Sequence, residues 1–546
     1  MKTLARAHWG PWLAAFTALV GLGLALWWAI PVRPGPARTL RAEAKDGLAH
    51  LTAAGQGSHL AALVVICLAG AALRAYFLDC PMRGDESCTF DYYIAKPLWL
   101  GLTNYYNPNN HLFHTLLAHL SVRAFGIEPW AIRLPVFVAG CLLVPAVYLA
   151  GRFLFNKEAG LLAAGLAAAS PLLIEYSTNA RGYSLLALVF VLAVILAGHF
   201  AQTRSRPALA AVCSALGFFS LVTMLLAFSA LVLWLAALLI AQGRSLALAD
   251  LLDLAAFVGA TVLLTILLYL PAVAAVDLEY ITSHRALQGS GLGAMVRNMA
   301  GVGPRLWSHW HPHFFPGLGY VLAAGFIVCL GARPRLGRFR VPLSLVCLAA
   351  VVLNLILRPA VFASRHFLVF LPVYLIWAAA GLTWVLGRLL PGQRRSWGPA
   401  LSGLAVGVCL VLGVLIVRGG PLYATRDLSL GDRNVDAEAI VLFLKNRLRA
   451  GDMVENVEGW SYDAFYPVHY YNRLHGVNIF VPDGSHDRPQ VRQATRRIWW
   501  LTPLDRRDLI GPRLAQLGFQ PDRFKAPKRL TRFREHDLFV TERTGG

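Results

Sequence analysis

Two neighbouring stretches decide the fold: LAALVVICLAGAALRAYFL at 60–78 and MRGDESCTFD at 82–91. The first is apolar except for Arg74 and approaches the ~20 residues that an α-helix needs to cross a bilayer. The second places two adjacent acids, Asp85 and Glu86, just beyond the end of that helix. Together they predict a membrane-spanning helix that delivers two carboxylates to the membrane surface.

The composition indicates that such helices recur along most of the chain. Of its 546 residues, 57% are hydrophobic and 14% are charged, whereas ordinary soluble domains carry about 25% charged residues. We therefore predict a polytopic α-helical membrane protein with about 11–12 transmembrane helices. The predicted spans are 11–30, 60–78, 131–153, 159–177, 183–201, 207–222, 224–241, 251–273, 317–332, 341–357, 367–387 and 398–417.

Two segments need separate treatment in this assignment. The apolar stretch 207–241 is too long for one span, so we expect a turn at SLVT, 220–223, to divide it into two helices. The segment 109–126 contains several histidines and Arg123, and we therefore expect a helix that lies at the membrane interface instead of crossing it.

The net charge of +21 is explained by basic loops between the apolar runs. ARPRLGRFR at 332–340 and GRLLPGQRRSWG at 387–398 fall on one side when the spans alternate, and the positive-inside rule makes that side cytoplasmic. This distribution favours membrane topology over nucleic-acid binding as the origin of the charge, so we predict no nucleic-acid partner. The loop 79–130 and the tail from 419 then face outward. We predict a protein of the bacterial inner membrane with its acidic pair facing the periplasm.

The character of the chain changes after the last span. DAEAIVLFLKNRLRAGDMVENVEG at 436–459 has the pattern of an amphipathic helix, a glycine and a strand. Further strands are predicted in VNIFVP at 477–482, RRIWWLTP at 496–503 and DLFVTER at 537–543, with a helix near 505–517. We predict a C-terminal soluble α/β domain. The chain is accordingly divided into an extra N-terminal helix with a basic linker at 1–59, a membrane domain at 60–418 and the α/β domain at 419–546.

The polar residues of the membrane domain are distributed unevenly. The middles of the predicted spans hold few of them, with Asn354 a rare exception. Transporters carry ionisable groups near the bilayer midplane, so this scarcity weighs against a lipid or glycan transporter, the alternative from another functional class. The polar groups collect instead at the predicted outer face: Asp85, Glu86, Asn110, His111, His114, Glu175, Arg181, Tyr183, His309, Arg358, Arg365 and His366.

The residue types at this face suit transfer from a phosphorylated lipid to a hydroxyl or an amine. A partly desolvated carboxylate at a helix mouth can act as a general base, and arginine binds phosphate because its guanidinium offers planar bidentate donors and stays charged. The alternative interpretation of Asp85 and Glu86 is a solvated surface pair, and that of the arginines is anchoring beside lipid headgroups. Cys80 and Cys88 flank the acids as a disulfide or as two thiols, and both alternatives stay open.

Five motifs, in this order, carry a resemblance to a known family. They are RGDES at 83–87, NPNNHLFHTLLAHLSVRAFG at 107–126, WAIRLPVFVAG at 130–140, SPLLIEYSTNARGYSLL at 170–186 and SRHFLVFLP at 364–372. The sequence resembles the membrane glycosyltransferases of the GT-C fold, in particular glycosyltransferase family 39, which includes protein O-mannosyltransferases and bacterial aminoarabinose transferases. The resemblance covers about 60–390.

The resemblance implies an inverting transfer of a single sugar from a polyprenyl-phosphate donor to an acceptor in the cell envelope. It also implies that the protein contacts membrane lipids. Asp85 matches the base that deprotonates the acceptor, and Glu86 matches its supporting neighbour. The residues expected to bind the donor phosphate are, in order of preference, Arg365, Arg181, His366 and Arg358. The residues expected to bind substrate elsewhere are Asn110, His111, Tyr183, His309 and His311.

Some alternatives stay open within this resemblance. Aminoarabinose transferases carry a lysine in the loop region where this chain has Asn109, Asn110 and His111. The resemblance therefore does not identify which sugar is transferred. Transfer of a whole oligosaccharide is the alternative reaction. A degenerate relative that acts as an assembly partner is a further alternative, and the presence of Asp85, Arg181 and Arg365 weighs against it.

The segment HWHPH at 309–313 allows two interpretations. Three histidines at alternate positions share one face of an extended segment, and imidazole is a good zinc ligand. Trp307, Trp310 and the prolines are equally typical of a loop at the membrane interface. We favour a role of His309 and His311 in shaping the substrate groove and assign no metal ligands, while a requirement for a divalent metal ion stays open.

Overall fold

The computed structural model describes residues 57–104, 109–203, 208–241, 248–275, 292–311, 316–357, 363–389, 397–418, 436–449, 451–459, 462–477, 494–534 and 536–544. The predicted span 11–30, Arg358, His313 and most of the predicted strand 477–482 lie outside these residues. The chain divides into two compact units.

The described residues between 57 and 418 are almost entirely helical, because in a bilayer a helix satisfies its own backbone hydrogen bonds. A π-helical turn, Phe90–Ile94, and a 3₁₀ segment, Ser364–Phe370, interrupt the α-helices. The α-helices are α1 Gly57–Tyr76, α2 Gly84–Thr89, α3 Leu98–Thr103, α4 Leu112–Phe125, α5 Pro129–Leu154, α6 Lys157–Ala168, α7 Pro171–Ser177, α8 Tyr183–Thr203, α9 Ala208–Ser220, α10 Met224–Ile240, α11 Leu248–Ala275, α12 Leu292–Trp310, α13 Pro316–Leu336, α14 Leu343–Leu357, α15 Leu371–Leu389 and α16 Trp397–Arg418.

The membrane-spanning character predicted from composition is confirmed. By length and apolar composition, six described helical segments could cross a bilayer: Ser58–Tyr76, Pro129–Leu154, Tyr183–Gln202, Asp250–Val273, Ser364–Leu389 and Pro399–Arg418. Helices α6 and α7 meet the same test as a pair, but they are bent by 62°. Four shorter apolar helices, namely α9, α10, α14 and the part of α13 at Gly317–Ala332, complete this set among the described residues.

Two local expectations about these helices can be compared with the structure. The apolar stretch 207–241 forms α9 and α10, which end and begin at Ser220 and Met224, so the turn expected at 220–223 is confirmed. The segment 109–126 contains α4, which has 14 residues and is not among the segments long enough to cross a bilayer.

The first unit falls within Met1–Leu78, Trp99–Ala118 and Arg133–Leu428. The second falls within Asp79–Leu98, His119–Ile132 and Ser429–Gly546, so it joins the loop carrying Asp85 and Glu86 to the C-terminal part of the chain. Its further elements are α17 Ala437–Lys445, β1 Asp452–Asn456, α18 Tyr462–Leu474, β2 Arg497–Pro503, α19 Ile510–Gln516, β3 Lys528–Arg532 and β4 His536–Glu542.

The C-terminal strands form one sheet in the order β1-β2-β4-β3. Strands β1 and β2 are parallel, and the other neighbours are antiparallel. Trp500 of β2 is completely buried and packs with Met453, Ile498 and Phe539 in one core, which α19 covers with Ile510. This arrangement confirms the predicted soluble α/β region, whereas β3 and α18 were not predicted.

Candidate active site

The acidic loop, residues 79–98, presents its two adjacent acids differently. Asp85 and Glu86 lie in the first turn of α2. Asp85 is half-buried, whereas Glu86 is 0% exposed and its Oε2 accepts a hydrogen bond from the Arg83 N–H at 3.1 Å. The Thr89 hydroxyl donates to the Asp85 carbonyl at 2.8 Å in the same turn. Asp85 thus keeps accessible surface, while Glu86 stabilises the turn that carries it.

Helix α18 holds the acidic loop at both ends of α2. The Met82 N–H, just before this helix, donates to the Tyr471 hydroxyl at 3.0 Å. Beyond it, His469 Nδ1 lies 2.8 Å from Asp91 Oδ2. Asp91 is buried, and its hydrogen bond and negative charge raise the pKa of His469 above the ordinary value, because they favour the imidazolium. The pair is therefore a charge-assisted contact over the acidic pH range.

Aromatic contacts reinforce this attachment. Tyr470, which is completely buried, donates its hydroxyl to the Ile127 carbonyl at 2.6 Å and packs edge-to-face on Phe90 with ring centroids 5.2 Å apart. The Tyr466 hydroxyl donates to the Tyr92 hydroxyl at 3.2 Å. Because α18 supplies all these contacts from the C-terminal part of the chain, the position of α2 depends on residues nearly 400 positions away.

A second group of polar residues lies in the first unit around the ARGY segment, 180–183. We call this group the cationic cluster; its members are Asn109, His111, Arg181, Tyr183, Arg365 and His366. Arg181 is buried, and its Nη2 donates to Asn109 Oδ1 at 2.9 Å. Its guanidinium carbon lies 5.3 Å from the centroid of the Tyr183 ring. A Cβ at Gly182 would lie 2.9 Å from the Ser220 carbonyl oxygen, so a glycine is required between Arg181 and Tyr183.

His111 lies at the centre of the cationic cluster. Its Nδ1 accepts a hydrogen bond from the Gly182 N–H at 2.7 Å, so the neutral ring carries its proton on Nε2. Burial, followed by the positive charge of Arg181, places the pKa of His111 well below the ordinary value. The positive charges of Arg365 and His366 lower the pKa of His111 as well, so the sequence-distant Arg181 and Arg365 both lie within electrostatic range of one imidazole.

Arg365 has an unused donor in this cluster. The side chain is half-buried in the 3₁₀ segment, and its Nε is shielded from solvent without a hydrogen-bond partner among the described residues. The segment is fixed on either side: His309 Nδ1 lies 2.7 Å from Ser364 Oγ, and His366 Nδ1 accepts the Ala363 N–H at 3.2 Å. A fixed, partly desolvated guanidinium with an open donor is suited to bind an anion.

Two further side chains predicted to bind substrate, Asn110 and Tyr183, are engaged within the first unit. Asn110 donates to the Gly101 and Asn104 carbonyls, both at 2.8 Å, and accepts the Thr115 hydroxyl at 2.8 Å. These bonds occupy three of the four hydrogen-bonding positions of the amide, so Asn110 shapes its own loop. Tyr183 is buried and packs on Tyr176 and His111, with ring centroids 4.7 Å and 5.6 Å apart.

His311 is engaged at both ring nitrogens. Its Nδ1 lies 2.9 Å from the Trp307 carbonyl oxygen and its Nε2 lies 2.7 Å from the Tyr374 hydroxyl. Burial lowers the pKa of His311, which keeps the ring neutral at physiological pH. Among the described residues, which exclude His313, no three His, Cys, Asp or Glu side chains are placed to hold a metal ion together.

Sequence reasoning missed several members of these two groups. Asn109 holds Arg181, and its position within the quoted NPNNH motif was an available signal. Asp91 and His469 were not considered, because a pairing across such a separation leaves no local pattern in one sequence. Glu175 and His114, noted only as polar, are buried in the first unit.

Comparisons with known proteins give one family match and several solved structures of similar fold. Residues 109–269 match the family model described as dolichyl-phosphate-mannose-protein mannosyltransferase. Among curated proteins, no relative matches the chain. The crystal structure of ArnT from Cupriavidus metallidurans in the apo state is similar at 15% identity with a TM-score of 0.51, over 91% of this chain and 98% of that one. The structure of ArnT from the same organism bound to undecaprenyl phosphate is similar at 14% identity with a TM-score of 0.50, over 87% and 97%.

These likenesses extend over both units of the chain, because the alignment with ArnT covers most of each protein. At such low identity the structural likeness establishes the fold, and the family model adds a similarity limited to residues 109–269. The chain has the GT-C fold of ArnT and is similar to the membrane glycosyltransferases of glycosyltransferase family 39.

Proposed function

We propose that this protein transfers a single sugar, with inversion at the anomeric carbon, from a polyprenyl-phosphate donor to an acceptor outside the cytoplasm. The observation that carries the proposal is the cationic cluster, in which Arg181 and Arg365 both lie within electrostatic range of a neutral His111. Two guanidiniums fit a phosphate, and an open Nε donor at Arg365 gives it a partner. The bound undecaprenyl phosphate of the ArnT structure supports a polyprenyl carrier.

In this reaction the acceptor oxygen or nitrogen attacks the anomeric carbon from the face opposite the phosphate. Asp85 takes the proton that the acceptor loses, while the bond between the anomeric carbon and the phosphate oxygen breaks and its electron pair stays on the phosphate. Arg181 and Arg365 stabilise the negative charge that develops on the leaving polyprenyl phosphate. Glu86 does not touch the acceptor; it fixes the turn that presents Asp85.

The acceptor side of the reaction is extracytoplasmic in this proposal, which places the acidic loop and residues 419–546 in the periplasm of a bacterial inner membrane. The basic loops 332–340 and 387–398 support this orientation. The C-terminal domain then has a structural role in the reaction, because α18 is attached to the acidic loop by Tyr471, His469 and Tyr470.

The direct test is an assay of purified protein with radiolabelled polyprenyl-phosphate sugars and crude cell-envelope acceptors. We expect release of one sugar per donor, with the opposite anomeric configuration in the product. Transfer from oligosaccharide donors alone would favour the oligosaccharide transferase alternative. Movement of intact donor across liposome membranes without sugar release would overturn the proposal in favour of a transporter.

A further inference from the structure

One charged residue of helix α1, the first described helix that could cross a bilayer, has no part in the proposed chemistry. Arg74 is 0% exposed although it lies within the span Ser58–Tyr76. A charged side chain at such a place is unfavourable unless hydrogen bonds replace its hydration. Arg74 therefore needs a structural explanation, and its partners supply one.

The partners of Arg74 lie mainly at the break between α6 and α7. Its Nη1 donates to the Ala168 carbonyl at 3.0 Å and its Nη2 to the Ala167 carbonyl at 3.3 Å. Its Nε donates to Ser177 Oγ at 3.2 Å, and Nη1 also reaches the Gly70 carbonyl at 2.9 Å within its own helix. One guanidinium thus joins the end of α6 to the end of α7.

The break itself follows from Pro171, the first residue of α7. In an unbroken helix the N–H of residue 171 would bond the Ala167 carbonyl, but proline has no N–H. In an apolar interior a carbonyl without a donor is strongly unfavourable. Arg74 provides the missing donor to Ala167 and serves Ala168 as well, so the guanidinium substitutes for the backbone where the two helices bend by 62°.

The space for this guanidinium is provided by a glycine on α5. A Cβ at Gly140 would overlap the Ser177 side chain and lie 3.1 Å from Arg74 Nε. Close packing at this point keeps α5, α7 and the Arg74 side chain in a single arrangement. The hydrogen bond between Arg74 and Ser177 is therefore held in place by the packing of both side chains against Gly140.

A short chain of contacts leads from Arg74 toward the cationic cluster. Ser177 Oγ, which accepts from Arg74, lies 3.3 Å from Ser184 Oγ in the first turn of α8. Between Ser177 and Ser184 the chain passes through the buried segment that contains Arg181. Both ends of this segment are thus connected to Arg74 by hydrogen bonds. Ser177 bonds Arg74 directly, and Ser184 is connected to it through the Ser177 hydroxyl.

We propose that Arg74 is a positioning residue for donor binding: it holds the broken span α6–α7 in its bent form and thereby places Arg181 for the donor phosphate. This inference rests on the proposed function, because it assumes that Arg181 binds the phosphate of a polyprenyl donor. Arg74 touches no substrate. Its charge matters here through its geometry, since a single ammonium cannot reach two carbonyls and a hydroxyl in the directions of a guanidinium.

The test uses binding of undecaprenyl phosphate and the melting temperature of the full chain in detergent. Arg74→Lys keeps the charge and some of the donors, and we expect it to melt closer to the wild type than Arg74→Met while binding roughly tenfold or more weakly, the effect of about one charge-assisted hydrogen bond. Ser177→Ala should weaken binding less. The matched control is Ser214→Ala, a buried hydroxyl that bonds only within α9, and it should leave binding unchanged.

A double variant separates positioning from simple stabilisation. Arg74→Met leaves the two carbonyls without their donor, and adding Pro171→Ala restores a backbone N–H for Ala167. We expect the double variant to regain melting temperature but not affinity, because the bend is no longer held. Recovery of both, or an Arg74→Lys variant that binds like the wild type, would overturn the inference. A wild type that fails to bind undecaprenyl phosphate would instead remove the proposed function, and this inference with it.

Discussion

The acidic loop and the cationic cluster differ in how their charged side chains are exposed to solvent. In the proposed reaction the loop presents a carboxylate to the acceptor, and Asp85 keeps accessible surface while the buried Glu86 holds its turn. The cluster must present fixed positive charge away from water, and Arg181 is 7% exposed with an amide partner already in place. Asp85, proposed for proton transfer, thus keeps accessible surface, whereas Arg181, proposed for charge stabilisation, is buried and Arg365 of the same cluster is half-buried.

The two regions also differ in what supports them. The cluster is built from segments of the membrane domain, with bonds such as that from Gly182 to His111. The loop depends on α18, which approaches it from the far end of the sequence. Changes in the C-terminal domain should therefore affect the proposed chemistry of the loop more than the binding of phosphate by the cluster.

The largest expected effect is that of Asp85→Asn. Loss of the general base should lower the rate of sugar transfer by about 10²–10⁴-fold, the range for acid–base catalysis, since asparagine cannot take the acceptor proton. The measurement is initial rate at saturating donor and acceptor. The control is Asp79→Asn, an exposed acid of the same loop, which should retain the wild-type rate. Equal rates for Asp85→Asn and the wild type would remove Asp85 from the chemistry.

Next in size is the effect of Arg181→Met on the cluster. Removal of one charge that faces the leaving phosphate should lower kcat by about 10²–10³-fold, as for loss of a single donor to a developing anion. Arg181→Lys should recover only part of this, because an ammonium lacks the planar fork. Arg338→Met, in the basic loop 332–340, is the matched control. An Arg181→Met variant with an unchanged rate would show that this arginine is an interfacial anchor.

A smaller effect concerns the neutrality of His111. Its folded-state pKa is depressed, so the unfolded chain binds a proton first as the pH falls below about 6.5. The stability that His111 contributes is present above that pH and is lost as the pH falls toward the depressed value. Melting temperatures of wild type and His111→Asn between pH 7 and pH 5 should show a steeper fall for the wild type. Parallel curves would contradict the assigned burial of a neutral imidazole.

The smallest expected effect is in the loop, at the contact between His469 and Asp91. Here the folded-state pKa is raised, so the contribution is fully present below about pH 6.5 and is lost as the pH rises through the raised pKa. Because the His469 side chain is 49% exposed, we expect about 1 kcal/mol or less. The stability difference between wild type and His469→Asn should shrink as the pH rises. A difference that grows with pH would have the wrong sign for this pair.

Much of the fold could be predicted because bilayer and sheet impose strong local patterns. Apolar runs predicted the spans, and SLVT at 220–223 predicted the break between α9 and α10. The strand β3 was missed because KRLTR at 528–532 is an exposed, basic edge strand with no apolar alternation. Helix α18 was missed because its aromatic sequence contains Pro467 and few aliphatic residues.

The candidate site was less predictable than the fold. Arg181 and Arg365 could be selected by residue type, since guanidinium suits phosphate. Their approach to one histidine depends on tertiary packing, which a single sequence does not show. In contrast, Asn110 and His311 looked like binding residues, but their polar atoms are engaged inside the protein. Residue type identifies chemical capacity, and only the surroundings decide whether that capacity is free for a ligand.

The comparison between loop and cluster is tested most directly by measuring undecaprenyl phosphate affinity for Asp85→Asn and Arg181→Met side by side, each with its transfer rate. The account predicts that Asp85→Asn binds like the wild type but does not transfer sugar, whereas Arg181→Met binds more weakly. Weakened binding in Asp85→Asn together with wild-type binding in Arg181→Met would contradict the assignment of proton transfer to the acidic loop and of phosphate binding to the cationic cluster.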